Sequence, residues 1–481
     1  MQAKESMAMR LSVGVCITLN MLLFVLIAAR NPSVLREESL LSNPDAVHYF
    51  QLGRNMVELG VFSRQDSPPY VPDMLRTPAY PAFLGPLNWL AGPGAVFVAT
   101  ALAHAISCGI LFAIANRLFE RRVAVISSLL LAVDTVVISY NFSGMSETLS
   151  LLPLLAGVCV IVSTLIGDSP RQYQSLALGG LLIGFATLVR PATLYLGICL
   201  GIGLLVHELC RKRYSKAVLA GLTVSLCSVA PLIPWIARNH AVFSLAKLTT
   251  VDTANLVYFV GAGAFQQHFD ISREQAQIEI AEEFGLPRYE IVQNPWFSSE
   301  SPAQMDAKLK AAAPQILRRY PADLLASSVI GVVKSHASHG TEHVAHLLAL
   351  RWTSPGFKEL LRLDGEALRR LNQNSPMLVL TFVLQVSMML LTVAMTFVGV
   401  IAGLRHSNSR WGVLLLLGVT AYLYFTIALF GIDAYYRCRI PVLPFLYLFA
   451  GVGISAALSS ASRLIARTRG ASSPSSLASP K

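Results

Sequence analysis

The chain has 481 residues, of which 54% are apolar and only 14% charged, against roughly 25% charged in an ordinary soluble protein. A mean hydropathy of +0.56 exceeds what one or two water-exposed globules can bury, which excludes a water-soluble monomer and makes lipid the solvent for most of the sequence. The excess of 38 Lys and Arg over 27 Asp and Glu, a formal charge of +11, then reads as a marker of the cytoplasmic ends of membrane helices and not as a nucleic-acid surface.

Crossing roughly 30 Å of hydrocarbon takes about 17 to 25 apolar residues, and about ten stretches reach that length. The first, 11–29, follows Lys4 and Arg10 and reads as an uncleaved helix with a cytoplasmic N-terminus. The polar stretch 30–93, rich in Pro, Asp, Tyr and Arg, is a first external loop, and 94–115, 123–140, 148–166, 175–189, 191–207 and 217–235 complete an N-terminal module, 1–235. Residues 236–375 form a second external segment with amphipathic runs such as SREQAQIEIAEEFG and AQMDAKLKAAAPQILRRY, which predict helices. Within it, PADLLASSVIGVVK is apolar for only about 12 residues, the length of an interfacial or short helix. The spans 376–402, 411–430 and 440–460 form a C-terminal module, and 461–481, ending in RGASSPSSLASPK, reads as a cytoplasmic disordered tail. The expected fold is an all-α polytopic membrane protein of about ten transmembrane helices with a mostly helical external segment.

Alternating from the first helix puts Arg117, Arg121, Arg122, Arg171, Arg211, Lys212, Arg213, Lys216, Arg405 and Arg410 on the inside, together with Arg463, Arg467 and Arg469. Arg190, Arg238, Arg437 and Arg439 fall at the outer ends, against that trend. Aromatic belts and snorkelling account for any one of them. A converging basic cluster, by contrast, is what a phosphate group requires, because planar guanidinium binds phosphate oxygens bidentately.

Just past the first helix, NPDAVHYFQLGRNMVELGVFS reads as a helix with Asp45, His48, Tyr49 and Leu52 on one face. Asp45 is either a general base at the membrane surface or the N-cap of a helix beginning after Pro44. LRTPAYPAFL brings Arg76 to the re-entry into lipid, where its two prolines also suit a rigid turn. Asp134 is expected inside the third span, where ionisable groups are costly and functional or else satisfied by packing. Glu147 sits at the outer mouth of the fourth span, as a site residue or a first-turn residue favoured by the helix dipole. Asn141-Phe-Ser143 is a formal glycosylation sequon. His336, His339, His343 and His346 have spacings that can align on one helix face for a metal or simply belong to a wet interfacial helix. The cysteines, Cys16, Cys108, Cys159, Cys199, Cys210, Cys227 and Cys438, lie mostly in apolar runs without metal-type spacing, and indicate neither a disulfide framework nor a zinc site.

In chain order, PDAVHY, RTPAYPAFL, SETL, VRPATLY, PWIARN and YYRCRIPVLPFL make the sequence resemble the GT-C superfamily of integral-membrane glycosyltransferases. The nearest branch holds the protein O-mannosyltransferases, the lipid A aminoarabinose transferase and the RgtA/B/C/D-like enzymes. Each motif is short, and the resemblance lies in their order and spacing over most of the chain. It implies a polyprenyl- or dolichyl-phosphate sugar donor, used on the non-cytoplasmic face with inversion, and Asp45 as catalytic base. Ala46 stands where protein mannosyltransferases carry an acidic residue after that Asp, so a glycolipid or polysaccharide acceptor is expected ahead of a protein. No external domain of the MIR type is seen.

On this reading some of Arg190, Arg238, Arg437 and Arg439 hold the donor phosphate, and Glu147, His48, Tyr49, Arg76, Tyr435, Tyr436 and Trp235 contact sugar or acceptor. No metal ligand set is assigned, although a divalent metal remains compatible with the chemistry, and no nucleic acid is expected as a partner. The short inner loops carry no Gly-rich phosphate loop or Asp-x-Asp motif for a nucleotide sugar. The expected location is a bacterial inner membrane with the site facing outward. A secondary transporter or lipid-linked sugar flippase is the alternative, suggested by ten spans and Asp134.

Overall fold

Polar turns interrupt the apolar runs often enough that the chain folds as an antiparallel series of helices, and the computed structural model describes residues 2–36, 43–167, 170–353 and 365–471. Among them there is no strand. The helices are α1 (Gln2–Arg30), α2 (Pro44–Glu58), α3 (Ala79–Ala91), α4 (Pro93–Leu118), α5 (Arg121–Val133), α6 (Thr135–Tyr140), α7 (Ser146–Ile166), α8 (Gln172–Val189), α9 (Leu196–Cys210), α10 (Tyr214–Val229) and α11 (Ile233–Phe243). There follow α12 (Val251–Asn255), α13 (Ala262–Phe269), α14 (Arg273–Glu283), α15 (Tyr289–Gln293), α16 (Pro302–Arg319), α17 (Pro321–Ala337) and α18 (Thr341–Leu347). The last are α19 (Gly365–Asn372), α20 (Pro376–His406), α21 (Arg410–Ala428) and α22 (Leu443–Ala471). Nine helices among the described residues are long and apolar enough to cross a membrane, and the chain is an integral, multi-pass membrane protein.

The remaining apolar segment, expected as one span over 123–140, is broken in two at Asp134. This residue is not inside a helix but extended between α5 and α6 (φ −65°, ψ 113°). Its Oδ1 accepts from the backbone N–H of Val136 (2.8 Å) and Val137 (2.9 Å), and its Oδ2 accepts from the Tyr447 hydroxyl. A buried carboxylate needs such partners, and these satisfy the exposed N–H groups of α6 at the same time.

Close helix contact is bought where side chains are absent. A Cβ on Gly399 of α20 would collide with the Phe449 carbonyl of α22, and one on Gly453 with the Met395 carbonyl, the small-residue interface by which membrane helices approach backbone to backbone. Outside the bundle, Gly53 of α2 and Gly85 of α3 do the same for each other, which fixes α2 and its first turn. Segment 236–375 builds its own core from Val257, Tyr258, Phe265, Ile280, Leu309 and Ile316. In it, α17 exposes Leu325, Val329, Ile330 and Val333, an apolar stripe at helical spacing suited to a lipid surface.

The basic turns share one end of the bundle. Asn408 donates through its backbone to the Leu118 carbonyl (2.8 Å) and through its side chain to the Arg117 carbonyl (3.1 Å), tying the turn before Arg410 to the one before Arg121. At the C-terminus α22 runs on to Ala471, so residues 461–471 extend the helix. The remainder of the expected disordered tail, 472–481, lies outside the described residues.

Candidate functional site

Pro44 starts α2, and the residue before it supplies the cap: Asn43 Oδ1 accepts from the Asp45 backbone N–H (2.9 Å). Asp45 therefore does not cap the helix as its sequence context allowed, and its carboxylate is free to point elsewhere. It lies between two arginines, ion-paired through Oδ1 to Arg76 Nη2 and through Oδ2 to Arg437 Nη1 (3.1 Å). Burial alone would raise its pKa, but the Arg76 and Arg437 guanidiniums outweigh this and hold the carboxyl well below the usual carboxylate range. His48, one turn on, has Nδ1 3.3 Å from Arg76 Nη2. Burial, reinforced by Arg64 and Arg76, pulls its pKa down to about 4, so it is neutral at physiological pH.

The second half of the site comes from the bundle. Glu147 is in the first turn of α7, with no exposed surface, and its Oε1 is 2.8 Å from Arg190 Nη1 and 3.9 Å from Arg437 Nε. Arg190 ends α8 in an extended conformation (φ −147°, ψ 121°), as the following proline demands. Arg437 sits in the short helical turn Tyr436–Arg439 before α22 and is the link between Asp45 and Glu147. Three guanidiniums thus face two carboxylates, leaving one positive charge in excess. The Nε atoms of Arg76, Arg190 and Arg437 are buried and make no hydrogen bond. Unpaired buried donors are expensive, and at one site they point to an anion.

Arg76 owes its position to a network that the sequence does not announce. Arg64 and Asp73 form a pair with almost no exposed surface, and Asp73 Oδ1 accepts from the backbone N–H of Leu75 (2.8 Å) and Arg76 (2.9 Å). Arg238 Nη1 donates to the Asp73 carbonyl (2.8 Å) while its guanidinium lies over the Trp235 ring (4.8 Å). Thr249 Oγ1 donates to the Leu75 carbonyl (2.6 Å), and Arg64 also reaches the Gln293 carbonyl. Segment 236–375 thereby holds the first loop in place.

Aromatic faces complete the site. Tyr49 stacks under the Arg76 guanidinium (5.2 Å) and Tyr435 under that of Arg437 (5.0 Å). Burial pushes the Tyr435 hydroxyl up to about 12, so it stays a neutral hydrogen-bonding group. Tyr289, absent from the sequence reading, lies close enough to feel Asp45 and Arg76. A cleft of about 250 Å³ opens beside the cluster, bounded by Asn43, Tyr140, Glu342, His343, Tyr435 and Tyr436. Asn43, Tyr140, Met145 and Glu342 line it without having been singled out in the sequence. A carboxylate next to His343 and one helix turn before His346 was the available signal for Glu342.

Four features singled out in the sequence lie apart from the cluster. Arg439 is 1% exposed, and its Nη1 donates to the carbonyls of Ser335 (2.6 Å), His336 (3.2 Å) and Ser338 (2.6 Å). Its charge is spent on the C-terminal end of α17. Arg238 serves the Asp73 turn, and neither joins the Asp45 cluster by an ion pair. The four histidines do not line one helix face, because the chain breaks between α17 and α18 at Gly340 (φ +70°). Among the described residues they form no group close enough to hold a metal. Asn141 is 1% exposed and donates to Asn20 Oδ1 (2.6 Å), so it offers no face for a glycan. Asp45 and Glu147 are each held by guanidinium with no third metal-type ligand beside them among the described residues, a donor set that does not fit a divalent cation.

Residues 90–235 match the family described as dolichyl-phosphate-mannose-protein mannosyltransferase. No curated protein sequence matches the chain. Among solved structures, the apo oligosaccharyltransferase of Archaeoglobus fulgidus superposes with a TM-score of 0.54 at 13% identity, over 98% of this chain and 53% of that one. The oligosaccharyltransferase AglB from Archaeoglobus fulgidus, in complex with an inhibitory peptide and a dolichol-phosphate, gives 0.52 at 12% identity over 99% and 53%. ArnT from Cupriavidus metallidurans bound to undecaprenyl phosphate gives 0.40 at 14% identity over 94% and 79%. The fold is that of the GT-C membrane glycosyltransferases. The chain spans about half the length of the archaeal oligosaccharyltransferase.

Proposed function

We propose that this chain is an inverting glycosyltransferase that moves a sugar from a polyprenyl-phosphate donor to a glycolipid or polysaccharide acceptor at the non-cytoplasmic face. The observation that carries the reading is the single cluster in which Arg437 bridges Asp45 and Glu147 while Arg76 and Arg190 flank them. The family match over 90–235 and the GT-C fold support the reaction class, and the basic turns at the opposite end of the bundle support the orientation.

In the proposed reaction the acceptor oxygen attacks the anomeric carbon opposite the phosphate, the carbon–oxygen bond to phosphate breaks, and its electron pair leaves on the phosphate. The acceptor hydroxyl gives its proton to Asp45. The growing phosphate charge meets the free donors of Arg76, Arg190 and Arg437, the preorganised electrostatic contribution that is commonly the largest in such transfers. Tyr49, Tyr435, Tyr436, His48 and Glu147 line the sugar and acceptor side. Arg238 positions Arg76 through the Asp73 turn. Asp134, the residue that had suggested a transporter, is taken up by the start of α6 and by Tyr447.

The test is purified protein given radiolabelled sugar on undecaprenyl phosphate and, in parallel, on a nucleotide, with lipid and polysaccharide acceptors. Transfer from the lipid donor is expected. Transfer from the nucleotide alone rejects the reading.

A further inference from the structure

Deep in the bundle, away from the arginine cluster, the sulfurs of Cys16 and Cys108 and a ring nitrogen of His104 all lie within 4.8 Å of one another. All three residues have no exposed surface. Cys16 comes from α1, and His104 and Cys108 stand one turn apart on the same face of α4. Two distant stretches of sequence supply the group, so linear spacing conceals it.

The surroundings select a metal over simple thiol packing. The Nε2 of His104 is 3.1 Å from the Leu131 carbonyl, which can only accept, so Nε2 carries the proton and Nδ1 keeps the lone pair that a metal would take, here accepting from Asn141 Nδ2. That is the tautomer control seen around metal-bound imidazoles, where a backbone carbonyl orients the ring. Asn20 Nδ2 is 3.5 Å from Cys16 Sγ and also donates to the Cys16 carbonyl (2.8 Å), which places a donor against the sulfur. Asn141, whose Nδ2 is 3.1 Å from His104 Nδ1, has a buried carbonyl oxygen with no hydrogen bond. The other polar atoms of Asn20, Asn141 and His104 are hydrogen-bonded, so the Asn141 carbonyl oxygen is the acceptor left unsatisfied at this depth, which is costly unless something binds it.

We propose that Cys16, His104 and Cys108 form a structural zinc site, with the fourth position bordered by Asn141. Zinc bonds of about 2.0 to 2.3 Å set tetrahedral ligand separations near 3.5 to 3.8 Å, so the group closes on the ion by a contraction of about 1 Å. Charge suits the divalent ion: two thiolates and a neutral imidazole around Zn²⁺ sum to zero, the state a low-dielectric interior favours, whereas Cu⁺ reaches neutrality only if one of the two sulfurs keeps its proton. On binding, each thiol loses its proton to water and gains a sulfur–zinc bond, with no change of oxidation state. The ion ties α1 to α4 and to the turn after α6 that leads into Glu147.

The experiment measures zinc in the full-length protein purified in detergent without chelator, together with cobalt substitution. About one zinc per chain is expected, with thiolate-to-cobalt charge-transfer absorption on exchange and both lost in Cys16→Ser and in Cys108→Ser. Because those variants can fail to fold, wild-type protein is also melted with and without a membrane-permeant chelator, and a fall in melting temperature on chelation is expected. Zinc-free protein with both thiols open to alkylation after denaturation, a Cys16–Cys108 disulfide found by mass spectrometry, or exclusive uptake of Cu⁺ each overturns the proposal. Every one of these readouts is independent of sugar transfer.

Discussion

Asp45→Asn separates the two roles the site gives this carboxylate. The side chain keeps its size and loses its basicity, so if Asp45 takes the acceptor proton, kcat falls by about 10² to 10⁴, or about 2.7 to 5.4 kcal/mol of barrier at 1.36 kcal/mol per decade. Ground-state binding of the donor moves the other way. Removing one of the two carboxylates leaves the arginines with a second uncompensated positive charge. A phosphate near 4 Å from a released guanidinium gains at most about 4 kcal/mol at an effective dielectric of 20, and solvent access trims this because the Asp45 side chain is 26% exposed. Donor KM should therefore stay level or fall while kcat collapses.

Stability is the necessary control. Breaking a fully buried ion pair costs about 3 to 5 kcal/mol, but Asp45 is partly exposed and Arg437 keeps Glu147 as a partner, so the variant should fold with a modestly lowered melting temperature. Initial rates with undecaprenyl-phosphate sugar in proteoliposomes give kcat and KM, and native mass spectrometry of undecaprenyl phosphate gives donor affinity without turnover. A near-normal kcat transfers the base role to Glu147, the other carboxylate of the cluster. A joint loss of kcat and lipid affinity makes Asp45 a structural tie and refutes the reasoning.

Neutralising Arg437→Gln should raise donor KM at least tenfold with the fold intact, whereas Arg439→Gln, which strips the Ser335, His336 and Ser338 carbonyls of their donor, should chiefly lower the melting temperature; the reverse pattern would swap their roles. Asp134→Ala removes a helix cap, about 1 kcal/mol, and leaves the Tyr447 hydroxyl unpaired, about 1 to 3 kcal/mol more, so thermal melting in detergent should shift down clearly while donor KM does not move. Acidification should divide activity from stability. Asp45, with its pKa lowered, stays ionised, so kcat/KM per folded molecule stays flat from about pH 8 to about pH 5. His48, His339 and His343, each lowered to about 4 by burial first, bind protons more readily unfolded, so their contribution to stability is full above the ordinary histidine pKa and is lost as pH falls toward 4; a melting temperature unchanged between pH 7 and pH 5 would contradict this. Reporter fusions at Lys216 and Gln275 should land on opposite sides of the membrane, and finding both on one side would overturn the orientation.

Most of the membrane spans were legible because a span is mainly a matter of apolar length, and composition reports that directly. The break at Asp134 was not, since hydropathy averaged over a window cannot tell a carboxylate inside a helix from one that ends it and caps the next. The outer arginines were visible as a group through their sign against the positive-inside trend. What each guanidinium faces is a tertiary matter: Arg437 meets two carboxylates, whereas Arg439, two residues on, meets three carbonyls. Arg76 was placed at the site, but its pairing with Asp45 depends on Asp73, which Arg64 holds within the first loop and Arg238 reaches from segment 236–375. Cys16 and Cys108 show the same limit, being neighbours only across two helices.

A base held below the ordinary carboxylate range is a weak base, and this apparent defect is informative when Asp45 is set beside Asp134. Both are acidic groups held by donors within the fold. Asp134 has its own oxygens fully committed, to two backbone N–H groups and one hydroxyl. Around Asp45 the guanidiniums keep unused Nε donors and an excess positive charge. In the proposed reaction a donor phosphate entering that space would compete with Asp45 for Arg437, and each increment of charge on the departing phosphate would draw the guanidinium further toward it. Asp45 then loses the interaction that kept it a poor base at the moment the acceptor hydroxyl becomes most acidic. In the proposed reaction, Arg437 thus couples leaving-group stabilisation to base strength, so restoring a cation at this position with Arg437→Lys should recover donor binding more fully than kcat, because an ammonium cannot reach carboxylate and phosphate with separate donors in one plane.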